Sequence, residues 1–196
     1  MAAAVASEKS QRTRAVLIEA AINRMAASGP AVDFAAIAGD VGLTKGAVYH
    51  HFGSVDGLVE AVFKEAIRRH AELVTAASST GTGRERLLGL VEESARLYGS
   101  GTPFYRLLLR LHVEAGVLRP YLGPIARKVQ RRQRTYMTEL VVAGQRDGSI
   151  RADIDAEATG AMVNATMQGL LVQQFEPARV QRRAALDFAE LIGVLL

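Results

Sequence analysis

The sequence predicts an all-α protein: an N-terminal three-helix head containing a helix-turn-helix, a long connecting helix, and a six-helix body, about nine helices in all. Three observations carry this. Apolar residues recur at i, i+3, i+4 and i+7 in most stretches of the chain, the spacing of one face of a helix. No window alternates apolar and polar residues for long enough to suggest a strand. The Gly, Pro and Ser clusters fall between the periodic stretches, at Gly29–Pro30, SSTGTG (78–83), GSGTP (99–103) and DGS (147–149), where they punctuate the chain.

Taken in order, residues 1 to about 8 are small and polar and read as a loose tail. From Glu8 to Ser28 the positions Ala15, Ile18, Ala21, Ile22 and Met25 form one helical stripe, which Gly29 and Pro30 stop. Asp33 is then an N-cap candidate for a short helix with Phe34, Ile37, Ala38 and Val41 on one face. Gly42 suits a left-handed helix end, Leu43 adds an apolar contact, and Thr44 is a second N-cap candidate opening a helix from Lys45 to Phe52. Ser54 caps a long helix to about Ala77, with Leu58, Val62 and Phe63 or Ile67 turned inward. Helices are expected over 84–98, from Phe104 to about Glu114, from Tyr121 to Arg146, from Ala156 to about Phe175, and after Pro177 to Leu196; residues 147–156 read as a turn with a short extended piece.

A helix, a tight turn and a second helix with polar outward residues is the layout that places a recognition helix in a DNA major groove. The stretch IAGDVGLTKGAVYHHFGSVDGL, with Ile37, Ala38, Gly42, Leu43, Thr44, Lys45, Gly46, Tyr49, His50, Phe52, Ser54 and Leu58 at its marked positions, closely resembles the helix-turn-helix signature of the TetR family of one-component bacterial regulators. The resemblance implies that Thr44, Tyr49 and His50 meet phosphates. Lys45 brings a charge to the groove edge, and Gly46 and Ala47 leave room for base edges, with Ala47 able to touch a thymine methyl. Arg12 and Arg14 stand near the start of the first helix as further candidate phosphate contacts. Plainer readings stand beside these: Thr44 as a cap alone, and Tyr49 as a core aromatic. The sequence also departs from the family pattern. Gly53 stands where a Lys often follows the Phe, Val55 where the next basic residue is usual, and the acid Asp33 where the first motif helix usually opens with Thr or Ser.

Composition limits the chemistry. The chain has no Cys, so disulfides, cysteine nucleophiles and thiolate metal sites are excluded. The four His (50, 51, 70, 112) lack metal-ligand spacing, and no metal or cofactor is expected. GTGRER (81–86) follows no strand and is not a dinucleotide fingerprint. No apolar run reaches the roughly 20 residues of a membrane span, and MAAAVASEKS lacks the basic and apolar regions of an export signal, so a cytoplasmic protein is expected. The net charge is +4, yet residues 1–70 hold eight Lys+Arg against seven Asp+Glu, so the head is nearly neutral and its footprint on DNA must be a local patch.

The body shows no paired acid and base and no nucleophile, so an enzyme is not expected. Ala161, Ala165 and Gly169 recur at i, i+4, i+8, small residues that let another helix approach. The last helix is apolar around much of its circumference, including Phe188, Leu191, Ile192 and Leu195. Burial within one chain would satisfy both; the sharper reading, which the resemblance also implies, is a homodimer whose two copies of each helix pack together. Tyr105, His112, Tyr136, Asn164 and Gln168 are candidates for lining an effector pocket. Arg127, Lys128, Arg131, Arg132 and Arg134 read as a solvated face pairing with acids such as Glu92 and Glu93.

The expectation is therefore a dimeric, ligand-responsive repressor: residues 1–53 bind a palindromic double-stranded operator, 54–77 connect, and 78–196 bind a small lipophilic or aromatic effector and dimerise. The alternative is a helical small-molecule-binding protein with weakened DNA binding, which Gly53, Val55 and Asp33 motivate.

Overall fold

The first helix packs its Leu17, Ile18, Ala20, Ala21, Ile22 and Met25 inward, and the elements that follow cover that face. The computed structural model describes residues 2–29 and 32–172, together with Arg183, Asp187, Glu190 and Gly193. These residues form eight α-helices and one 3-10 turn, with no strand among them: α1 Ala2–Ser28, α2 Phe34–Asp40, α3 Lys45–Phe52, α4 Val55–Ala77, α5 Gly83–Tyr98, α6 Pro103–Glu114, the turn Pro120–Leu122, α7 Gly123–Asp147 and α8 Ala156–Val172. The helix expected after Pro177 lies outside the described residues except at the four isolated positions.

The N-terminus differs from the sequence reading. Residues 2–8 continue α1 and are not a loose tail. Four of the first six residues are Ala, the best helix former, and no Gly or Pro interrupts them. Ala15 faces solvent, and Leu17, fully buried, takes the place assigned to it on the apolar stripe.

Caps set the short helices. The Asp33 carboxylate accepts from Ala35 N at 2.8 Å and Ala36 N at 3.3 Å, which satisfies two of the free N–H groups at the start of α2. Beyond α2 the chain turns at Gly42, φ +68°, and Leu43 N donates to Ala38 O at 2.9 Å. Thr44 Oγ1 accepts from Ala47 N at 3.3 Å, and Ser54 Oγ accepts from Gly57 N at 3.1 Å. Gly53 ends α3 at φ +71°, with its N–H on Tyr49 O at 2.8 Å. A side chain is strained there, so the residue that takes the place of a Lys is one the helix end demands. The stretch SSTGTG, read as a bare break, instead builds a capping box in which Thr82 and Glu85 satisfy each other's backbone at the start of α5.

The core has two parts. The larger runs through α1–α4 and α6, so the helix-turn-helix is continuous with α4 and α6. The smaller joins Leu87, Leu90 and Val91 of α5 to Met137, Leu140 and Val141 of α7 and Val163 and Met167 of α8. Glycines set the approach of these helices. A Cβ at Gly83 would lie 2.1 Å from Gly144 N, and one at Gly160 would lie 2.5 Å from Thr138 Oγ1 and 2.7 Å from Thr138 N. The 147–156 segment contains no extended piece. Gly148 turns it at φ +78°, the Asp147 carboxylate accepts from Gly83 N and Ser149 N, and Ile150 folds back onto Gly144. Such backbone-to-side-chain pairing turns the chain where an unpaired extended segment would have no partner strand.

On the inward row of α4, Leu58, Val62, Ala66, His70 and Val74 follow at i, i+4. His70 stacks on Tyr98, with Nε2 2.9 Å from Tyr98 Oη, and burial pulls its pKa from 6.5 down to about 4.

Two outcomes follow from this packing. Gly160→Val forces α8 off α7 and lowers the unfolding free energy by about 1–3 kcal/mol in a denaturant titration; an unchanged midpoint would contradict the close approach. Because the folded-state pKa of His70 lies below its unfolded value, its neutral form favours folding at neutral pH, and that advantage is lost as pH falls from 6.5 toward 4, by roughly 3 kcal/mol at most. Stability measured between pH 7 and 5 should fall in the native protein, and the slope should flatten in His70→Phe.

Candidate nucleic-acid interface and effector cavity

The helix-turn-helix presents one face of α3 to solvent. Val48 and Phe52 are buried, Ala47 is half-buried, and Lys45, Gly46, Tyr49 and His50 are exposed. Tyr49 reconciles its two readings. Its ring packs edge-on against buried Phe34 at 4.7 Å between centroids, while 46% of the residue stays exposed. Lys45 Nζ lies 5.8 Å from the centre of that ring. Thr44 accepts a backbone N–H through its oxygen, which leaves its own hydroxyl hydrogen free to donate outward. The cap and a phosphate contact are thus compatible. Arg14 lies over the Phe52 ring at 5.1 Å with its residue still exposed, and Arg12 is exposed one turn away from the buried stripe. His51 sits half-buried beside His50 and Arg14; burial first, then those two charges, lowers its pKa. Asp33 is spent as a cap, and Asp40 is held by a two-pronged pair with Arg24 that pins α2 to α1. Asp33 and Asp40 are thereby engaged internally.

In the body, a cavity of about 970 Å³ opens between α4, α5, α7 and α8. Ile67, Val74, Leu90, Val129, Met137 and Met167 give it apolar walls, and Lys64, Arg68, Glu72, Arg132 and Glu139 also border it. Of the residues singled out from the sequence, Tyr136, Asn164 and Gln168 line it. Tyr136 Oη lies 2.9 Å from buried Ser78 Oγ, and Asn164 is 9% exposed. Tyr105 does not line the cavity. It stands behind the wall, edge-on to His70 and Tyr98 at 5.9 and 5.8 Å, with its pKa pushed up to about 12 chiefly by burial. His112 is on the far part of α6, with Nε2 3.3 Å from Gln130 Nε2, and is outside the lining. Sequence reasoning missed His70, which does line it. The signal was present: an imidazole in the middle of an apolar i, i+4 row.

On α8, Ala161 is half-buried, while Ala165 and Gly169 are exposed next to Met162 and Val172, which are 44% and 55% exposed. This leaves an apolar face without cover among the described residues. Phe188, Leu191, Ile192 and Leu195 lie outside the described residues. The basic run on α7 does not pair with Glu93 as expected; Arg96, one turn along on the same helix, takes that carboxylate at 2.5 Å, the nearer and entropically cheaper partner.

Residues 17–62 match the family of bacterial regulatory proteins, tetR family, and residues 83–191, more than half of the chain, match the C-terminal domain of BetI-type transcriptional repressors. No curated protein matches the sequence. Among solved structures, a TetR transcriptional regulator from Chloroflexus aurantiacus is 25% identical, with TM-score 0.80 over 94% of this chain and 96% of its own. A TetR-family regulator from a Rhodococcus species is 18% identical (TM-score 0.75; 93% and 97% covered), and a transcriptional regulator from Saccharomonospora viridis, solved with choline, is 20% identical (TM-score 0.76; 92% and 96%). No described helix is long and apolar enough to cross a membrane. The chain belongs to the tetR family of bacterial regulatory proteins, and is a dimeric, non-enzymatic transcriptional repressor that binds operator DNA under the control of a small-molecule effector.

Proposed function

We propose that Lys45, Gly46, Ala47, Tyr49 and His50 of α3 read the operator, with Thr44, Arg12 and Arg14 on its phosphates, and that the effector occupies the cavity between α4, α5, α7 and α8. The division 1–53 for DNA binding, 54–77 as connector and 78–196 for effector binding and dimerisation follows from this assignment, as does action in the cytoplasm, where the operator is. The observation that supports the effector site best is that α4, separated from the recognition helix by only two residues, forms one wall of the cavity through Ile67, His70 and Val74. A ligand that displaces this wall moves the head with it, coupling two sites through one rigid element.

The walls favour a neutral lipophile or aromatic molecule. The lining surface is mostly apolar, His70 is uncharged at neutral pH, and neutral polar groups are supplied by Gln133, Asn164 and Gln168 and by hydroxyls including those of Thr75, Ser94 and Tyr136. A quaternary ammonium such as the choline of the Saccharomonospora viridis structure is the second reading, prompted by the Tyr98 and Tyr136 rings. It is disfavoured by three cations (Lys64, Arg68, Arg132) against two carboxylates (Glu72, Glu139) around the cavity. Dimerisation through the bare face of α8 brings two recognition helices onto one duplex.

The double variant Lys45→Ala, Tyr49→Ala should bind a duplex selected from a random pool by the native protein at least about tenfold more weakly, with the dimer intact by sedimentation and a shallower salt dependence. Native-like affinity would remove the assignment from α3. Met137→Trp should fill the cavity and abolish binding of Nile red, a neutral aromatic lipophile, without weakening the same duplex. Undiminished Nile red binding would move the effector site elsewhere, and choline competing where Nile red does not would favour the second reading.

A further inference from the structure

A group of charged and hydroxyl side chains at the tip of α6 lies outside both sites described above. Glu114 is 6% exposed and accepts from Arg110 Nε at 2.7 Å and Arg119 Nε at 2.8 Å. Its backbone carbonyl accepts from Arg119 N at 2.7 Å and Leu118 N at 3.0 Å, so the α6–α7 connection is wound around this one residue. Burial by itself would raise the pKa of Glu114, but the two guanidinium hydrogen bonds outweigh it and keep the group a carboxylate. Arg119 Nη1 donates onward to Tyr121 Oη at 3.0 Å, and Asp56 borders the same small hollow as Arg110, Glu114, Arg119 and Tyr121.

The placement of the ends of this chain of contacts is what matters. Asp56 is in the first turn of α4, four residues past the last residue of the recognition helix. At the other end, Arg110 Nη1 lies 3.3 Å from where a Cβ on Gly29 would stand, at the corner where α1 ends and the chain turns toward α2. One cluster thus stands beside both ends of the helix-turn-helix. The same α6 carries Tyr105 nine residues before Glu114, about 14 Å along the helix axis, edge-on to His70 and Tyr98 in the cavity wall. We propose that Glu114, Arg119 and Tyr121 are positioning residues for operator binding: with Arg110 and Asp56 they fasten both ends of the helix-turn-helix to the tip of α6 and so fix the separation of the two recognition helices in the dimer. This rests on the DNA-binding function stated above, and extends it to side chains that touch neither DNA nor effector.

The chain has no cysteine, so one label site can be introduced cleanly. Ala35→Cys, exposed on α2, reports the head-to-head distance between protomers by pulsed electron spin resonance, and Glu92→Cys, exposed on α5, reports the body. Tyr121→Phe and Glu114→Gln are each compared with the parent, alongside anisotropy on a duplex selected from a random pool by the parent. We expect both variants to broaden or shift the head-to-head distribution, leave the body-to-body distance unchanged, and weaken duplex binding roughly 3- to 30-fold. A role in stability alone would lower the melting temperature without moving the distance. Unchanged head-to-head distances with affinity within twofold of the parent would overturn the proposal. Should Glu114→Gln fail to fold, Tyr121→Phe decides, because it leaves the Glu114 pairs intact. Should the parent select no duplex, the DNA-binding assignment fails, and the distances still decide the positioning role.

Discussion

The inward row of α4 is the constraint on which the rest depends. Leu58, Val59, Val62, Phe63 and Ala66 are buried against α1 and α6, and fully burying a Leu, Val or Phe side chain stabilises by about 1.5–3 kcal/mol. From Lys64 onward the same helix also forms a wall of the cavity, while Val74 still belongs to that core. It cannot tilt at one end without moving at the other. Nothing in the helix-turn-helix is large enough to be stable by itself: α2 and α3 have seven and eight residues, well short of what holds a helix in isolation. Their geometry is borrowed from α4 and α1 through Phe34, Ile37, Val48 and Phe52.

Charge plays a secondary but directed part. Ion pairs such as Arg69 with Glu19 and Arg24 with Asp40 hold α1 to its neighbours, and as exposed pairs they contribute little to stability. Their consequence is local: Glu19 and Asp40 are turned toward internal partners, while the charges of Arg12, Arg14 and Lys45 stay open to solvent. A head with nearly balanced charge can still offer a positive face, because the balance is an average and the face is not.

The features that were legible in the sequence are those decided within four or five residues. Asp33, Thr44 and Ser54 cap as their types require, Gly42 turns left-handed, and the helix-turn-helix carries a signature long enough to be specific. Gly53 looked like a lost charge and proved to be a helix end, which only its φ reveals. The cavity was only half legible. Tyr136, Asn164 and Gln168 were found from their polarity amid apolar helices, but Tyr105 and His112 have the same polarity and face elsewhere. Which side of a helix meets which neighbour is settled by contacts between elements far apart in sequence, here by the close approaches at Gly83 and Gly160, and no local pattern encodes that. The partner of Glu93 illustrates the converse: a nearby Arg96 pre-empted the distant run on α7.

His70 has one further consequence. It is the only imidazole among the described residues bordering the cavity, and its environment keeps it neutral through the whole range in which the interior of a cell varies in acidity. A receptor whose inner wall held an ordinary histidine would confuse a drop in pH with the arrival of a ligand. By stacking the ring on Tyr98 and burying it, the protein keeps this part of the cavity wall uncharged as acidity varies.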